Sequence, residues 1–139
     1  MRHWILPIGG TFMPEKKMKI VTNNPAISTN EDMPHDIIFV EGSPVDVLDK
    51  TEELVQQHWS LLSTPLPPNI PIMRGPYRSL VIKEADEQYD TKGLLALDKA
   101  RTRYVMEREF RTMDPNADFG EIDRTMLYRT LRDISLSNL

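Results

Sequence analysis

Cysteine is absent from all 139 residues of the chain. Its absence excludes disulfides, thiolate nucleophiles, iron–sulfur ligation by the protein and cysteine-based zinc sites. It is consistent with a reducing compartment, and we expect the protein in the cytoplasm. A domain of this length buries roughly two-thirds of the surface that its unfolded chain exposes, so it needs no disulfide or metal to fold.

Long apolar runs, basic charge and catalytic motifs are missing as well. No run approaches the ~18–20 residues of a membrane-spanning helix, so we expect no membrane partner. The formal net charge of -4 lacks the basic footprint of a nucleic-acid partner. The chain has no glycine-rich nucleotide loop, nucleophile elbow or paired-histidine zinc motif. We therefore assign no catalytic residue, metal ligand or cofactor, and we leave enzyme activity open as the less favoured alternative.

The N-terminus differs from the rest of the chain. A short apolar run from Trp4 to Ile8 is broken by glycines and a proline, and it is too short for a signal-peptide core of ~7–15 residues. A strand pattern begins at Met18. We interpret residues 1–17 as an arm or extension and residues 18–139 as a single α/β domain. Alternatively, the apolar run covers a hydrophobic surface, for example on a partner subunit.

The remaining pattern predicts three strands and three helices in the order β-β-α-β-α-α. The strands are Lys19–Thr22, Asp36–Val40 and Tyr77–Lys83, and the helices are Pro44–Leu62, Leu94–Met113 and Asp118–Ile134. The segment Pro65–Pro76 holds five prolines and predicts an extended connection without a helix. We expect a small, mostly parallel three-stranded sheet, in which the second and third strands form a right-handed βαβ unit.

Two loops at the ends of strands are the first candidate ligand site. Thr22, Asn23 and Asn24 end the first strand, and Glu41, Gly42 and Ser43 end the second. If these strands are parallel, both loops lie at the same edge of the sheet. The asparagine amides suit a polar ligand, and the helix that begins after Ser43 suits an anion. The alternative is an ordinary turn followed by a capped helix.

A second candidate is the turn before the third strand. Arg74, Tyr77 and Arg78 flank Gly75-Pro76, and this rigid turn could present an arginine to a carboxylate or phosphate. The alternative is a proline-directed turn with a packed tyrosine. Together the two candidates predict a small anionic or amino-acid-like ligand.

Assembly follows from the number of predicted helices. One face of a small sheet accommodates about two helices at a spacing of ~10 Å, so the third lies on the other face or at the edge. A helix at the edge would need a partner for its apolar stripe. We favour the placement at the edge and expect a homo-oligomer, most simply a dimer.

Several short segments together resemble one family. They are Lys19–Pro25, Val40–Ser43 followed by Val45–Leu48, Leu61–Leu66, Gly75–Ser79, and Asp118-Phe119 with Ile122-Asp123. In order and spacing they resemble the GrdX family over about residues 18–134. Its members are small proteins encoded beside the selenium-dependent glycine, sarcosine and betaine reductase complexes of anaerobic amino-acid fermenters.

The resemblance implies an accessory or binding protein of such a reductase system, with reductase subunits as partners. It implies no catalytic residue. Two alternatives remain open. One is a small enzyme acting at the strand-end loops on an amino-acid-like or phosphorylated molecule. The other is an interaction module that uses the N-terminal arm or the arginine-bearing helices.

Overall fold

The structure is a computed structural model that describes residues 17–68, 70–85, 89–107 and 118–137. Within these ranges the strands are β1 (Met18–Thr22), β2 (Asp36–Phe39), β3 (Trp59–Leu61) and β4 (Ser79–Glu84). They form one sheet in the order β2-β1-β4-β3, with β1 and β2 parallel and β4 antiparallel to both β1 and β3. The α/β class is confirmed, but the sheet is mixed and has four strands rather than three.

Two long helices cover one face of the sheet. They are α2 (Pro44–Gln56) and α4 (Thr91–Glu107), and their buried side chains pack with Val21, Leu80 and Ile82 of the sheet. Short helices α1 (Pro25–Ser28) and α3 (Ile70–Met73) lie in connections. Each fully buried aliphatic side chain contributes roughly 1.5–3 kcal/mol.

The opposite face carries the second core. Ile20 and Val81 of the sheet pack there with Ile27 of α1 and with Leu127 of α5 (Phe119–Ser137). Because successive side chains of a strand point to opposite faces, adjacent residues of β1 and of β4 are buried in different cores. The apolar stripe of α5 is therefore covered within the chain, and the premise of an edge helix fails. A dimer itself stays a prediction.

The predicted helix Pro44–Leu62 is wrong over its last six residues. Helix α2 ends at Gln56, and the backbone amide of Gln57 caps it by donating to Leu54 and Val55. His58 follows with φ of 71°, a left-handed conformation that ends helices. The next three residues form β3 on β4. The predicted Leu94–Met113 helix is described as far as Glu107, and its remainder lies outside the described residues.

The predicted parallel βαβ unit is also wrong. Ile20 of β1 pairs antiparallel with Val81 of β4, and since β2 is parallel to β1, the third predicted strand runs against the second. β3 is antiparallel to β4 and so runs in the same direction as β2, and the chain reverses between β3 and β4. The proline-rich connection contains α3, contrary to expectation, because Pro71 is the second residue of that helix, where no amide hydrogen is required.

Residues 1–16 of the predicted N-terminal arm lie outside the described residues. Lys17 is described, and its amide and carbonyl both bond to Glu84 at the end of β4. Among the described helices, none combines the length and the hydropathy that crossing a bilayer requires.

Candidate functional site

Asn23 joins three loops at the carboxyl end of β1. Its side-chain nitrogen donates to the carbonyls of Gly42 (2.9 Å) and Pro76 (2.8 Å), and its Oδ1 accepts from the amide of Arg78 (2.9 Å). Both donor hydrogens are used, and the residue is 4% exposed. Asn23 thus holds the start of α2 and the turn before β4 against β1.

Asn24 makes the corresponding connection to α5. Its side-chain nitrogen donates to the carbonyl of Gly120 (2.8 Å) and to Oδ2 of Asp123 (3.1 Å), while its Oδ1 accepts from Ala26 (3.0 Å) and caps α1. The residue is 1% exposed. The side-chain N–H donors of both asparagines are therefore used in hydrogen bonds within the chain.

A buried chain of hydroxyls and a carboxylate runs beneath these loops. Thr22 Oγ1 lies 2.6 Å from Ser79 Oγ, and Ser79 Oγ donates to Asp123 Oδ2 at 2.6 Å. Burial raises the pKa of Asp123, although its bonds to Ser79 and Asn24 and the charge of Arg78 act in the opposite direction. The other carboxylate oxygen, Oδ1, is buried without a partner among the described residues.

The two candidate arginines are engaged elsewhere. Arg78 is 7% exposed and donates to the carbonyls of Thr64 and Pro65, so it fastens the proline-rich connection. Burial lowers the pKa of Arg78, and the negative charge of Asp123 counteracts this shift. Arg74 pairs with Glu107 of α4 at 3.4 Å. This turn contacts Asn23 through the backbone groups of Pro76 and Arg78, and neither guanidinium group takes part.

The start of α2 already carries an anion of its own. The Asp46 carboxylate accepts from both the amide (2.7 Å) and the hydroxyl (3.0 Å) of Ser43, which completes a capping box. Gly42 has φ of +143°, and a β-carbon there would lie 2.2 Å from the Asp46 carboxylate. Glu41 is exposed beside this loop. An external anion at this end of α2 would compete with Asp46.

Beside this network lies an open groove of about 390 Å³. Tyr77 and Phe119 supply aromatic lining, and Asn24, Gly120 and Asp118 at the start of α5 also line it. The Phe119 ring packs so closely on Gly75 that a β-carbon on that glycine would lie 2.4 Å from the ring. Asp118 also caps α5 by accepting from the amide of Glu121 (3.1 Å).

The described part of the chain contains no group of three or more histidine and acidic residues arranged to hold a metal ion. His58 is exposed and stacks on Tyr89, with ring centroids 4.5 Å apart. The polar groups of the network and the groove are amides, hydroxyls, the buried carboxylate of Asp123 and the exposed carboxylate of Asp118.

Comparison with models of known protein families identifies the family of this chain. The family model described as GrdX-like protein matches residues 19–132. The chain belongs to the GrdX-like family. No curated protein and no solved structure matches it. The matched range begins in β1, ends within α5 and contains both the buried network and the groove, so these features lie within the family's domain.

The sequence predicted part of this GrdX-like site. The structure brings together the loops that carry Thr22, Asn23, Asn24 and Gly42, and it adds Tyr77 to the groove. Ser79, Gly120 and Asp123 were not assigned to a site. Gly120 and Asp123 lie three residues apart on one face of α5, a spacing that indicates a shared contact surface but does not identify the partner. A ligand role for the nine predicted residues stays a prediction.

Proposed function

We propose that this protein is an accessory, non-catalytic binding protein of a glycine, sarcosine or betaine reductase system. The observation that carries the proposal is the family match over residues 19–132. The proposal includes a cytoplasmic location, contact with reductase subunits and a homodimer. A solution mass near the 16.1 kDa of one chain would contradict the dimer alone.

The geometry of the strand ends favours binding over catalysis. A catalytic group must reach the substrate and exchange a proton or an electron pair with it. Here the donors of Asn23 and Asn24 are all used within the chain, and Ser79 and Asp123 are 4% and 2% exposed. These groups organise loops around a groove, which suits a protein that presents a surface or holds a small molecule.

An in-frame deletion in an anaerobe that carries the gene beside its reductase genes tests the proposal. We expect the deletion strain to lose growth on glycine, sarcosine or betaine as electron acceptor and to grow normally on a substrate that bypasses the reductase. The plasmid-borne gene should restore growth. Equal growth of the deletion and parent strains on all substrates, or an equal loss on all of them, would contradict the proposal.

A small enzyme is the second candidate, and one contact favours it. Ser79 Oγ lies 2.6 Å from a carboxylate oxygen of Asp123, a pairing also found where a hydroxyl is activated. Incubation of the protein with acetyl phosphate tests this candidate. Release of acetate or phosphate that is lost in Ser79→Ala would establish it and displace the non-catalytic role.

The interaction-module alternative has weaker support from the charged helices. Arg101 of α4 pairs with Asp49 of α2 at 2.7 Å, and Arg124 pairs with Glu121 on α5 at 2.9 Å. These arginines form ion pairs within the chain. A docking face would depend more on exposed apolar residues of α4, such as Leu95 and Met106.

A further inference from the structure

The groove beside α5 has a lining that discriminates by charge. Among the described residues that line it, Asp118 is the one with a formal charge, and that charge is negative. Tyr77 and Phe119 also line it, and the faces of aromatic rings attract cations. The Asp118 carboxylate repels an anion and attracts a cation, although the positive N-terminal end of α5, which Asp118 caps, offsets part of its charge.

Gly120 marks the point where these groups converge. A β-carbon on this glycine would lie 3.5 Å from Asn24 Oδ1, 3.5 Å from Asp118 Oδ1 and 3.6 Å from Tyr77 Cε2. Two oxygens and an aromatic ring therefore surround the open side of Gly120. Each oxygen accepts one backbone amide, and an oxygen of this kind has two lone pairs.

Oxygen acceptors combined with aromatic carbon form the usual environment for an ammonium group in a protein. We propose that this groove binds the ammonium head of a small amino-acid-like zwitterion, with the head between Asp118, Asn24 and Tyr77. The groove volume of about 390 Å³ accommodates a molecule of that size. The chemistry rests on the groove, and the choice of zwitterion rests on the proposed function.

Two matched ligand pairs test the head group. Glycine and propionate differ chiefly in that a methyl replaces the ammonium, and betaine and 3,3-dimethylbutyrate differ in that a neutral carbon replaces the quaternary nitrogen. We would titrate each into the ¹⁵N-labelled full chain and follow the amide signals of Tyr77 and Gly120, with sodium chloride as an ionic-strength control. We expect saturable shifts with glycine or betaine and at least about tenfold weaker binding of the matching carboxylate.

Two variants test the site without disturbing the fold. Gly120→Ala places a methyl between the three groups at ordinary contact distances, and alanine suits a helix better than glycine. Asp118→Asn removes the charge but keeps an N-cap of similar strength. We expect each to weaken binding about tenfold or more at an unchanged or raised melting temperature. Thr125→Ala, an exposed change on the same helix, should bind like the wild type.

Three outcomes would overturn the inference. They are no saturable shift with either zwitterion up to about 0.1 M, equal binding of the neutral-headed compounds, and full binding by the folded Gly120→Ala variant. None of these outcomes affects the growth test of the accessory role. If no zwitterion binds but the deletion strain shows the reductase-specific growth defect, the proposed function stands without this ligand. If a zwitterion binds but the deletion strain shows no such defect, the groove has a ligand that is unrelated to the reductase.

Discussion

Ser79 and Asp123 join β4 to α5 through a buried hydrogen bond of 2.6 Å, although they lie 44 positions apart in the chain. The same carboxylate oxygen accepts from Asn24, so one atom of α5 connects β4 with the residue that caps α1. Hydrogen bonds to a charged group contribute about 1.5–3 kcal/mol, but burial of the charge offsets part of this. The stability of this junction should therefore depend on pH.

The stability of the protein should fall relative to that of Asp123→Asn as the pH rises. Burial raises the folded-state pKa of Asp123 above its ordinary value of 3.8. A raised pKa gives stability that is fully present below about pH 4 and is lost as the pH rises through the folded pKa. Asparagine keeps an acceptor for Ser79 and cannot ionise. Urea unfolding of both proteins from acid to neutral pH measures the difference, and a tenfold change in the acid dissociation constant on folding corresponds to about 1.4 kcal/mol.

Asp133→Asn is the control for this comparison, because Asp133 is exposed on the same helix. Its pH profile should follow that of the wild type. Parallel profiles for the wild type and Asp123→Asn across the whole range would contradict the interpretation that burial dominates the titration of Asp123.

Loss of the Asn23 side chain should destabilise the fold by about 2–3 kcal/mol, because three backbone groups lose their partner in a buried region. Asn23→Ala is the change, and the free energy of unfolding in urea is the measurement. Gln56→Ala, at an exposed position of α2, should change stability by no more than about 0.5 kcal/mol. A loss of that small size in Asn23→Ala would mean that the loops hold together without this residue.

The sequence predicted well the parts of the fold that local chemistry decides. Ser43, Pro44 and Asp46 carry the signals of a helix start, and the structure has a capping box there. The segment Trp59–Leu61 was misassigned because its apolar residues continue the helical spacing of α2 and also fit a short strand. The residue that ends α2 by a left-handed conformation is a histidine, whereas glycine is the usual signal.

The features that the sequence did not predict depend on contacts between residues that are far apart in the chain. The direction of β4 depends on its pairing with β1, and no local pattern encodes it. Parallel pairing of β1 and β2 brought the strand-end loops together as expected. The contact between Asn24 and Asp123 spans 99 positions, and one side chain in α5 gives no indication of such a partner.

Gly42→Ala should destabilise the protein by at least about 2 kcal/mol. Its φ of +143° disfavours any other residue, and the added carbon would lie 2.2 Å from the carboxylate that caps α2. Thermal and urea unfolding should both show the loss. Gly120→Ala is the matched control, because its β-carbon meets only ordinary contacts. Equal stabilities of the two variants would show that Asp46 can move aside without cost.

Leu127→Ala should destabilise the protein by about 2–5 kcal/mol, because Leu127 is 2% exposed in the core between α5 and the sheet. Leu136→Ala, at a position 57% exposed on the same helix, should change stability by no more than about 0.5 kcal/mol. Urea unfolding at several protein concentrations gives both values and distinguishes two origins of the core. In a core closed within one chain, the loss caused by Leu127→Ala does not depend on protein concentration, even where folded chains also pair elsewhere, whereas in a core completed by a second copy that loss changes with concentration. Because α5 covers this face within the chain, we expect the Leu127→Ala loss to be the same at every concentration. A loss that grows on dilution would mean that α5 packs on a partner chain in solution.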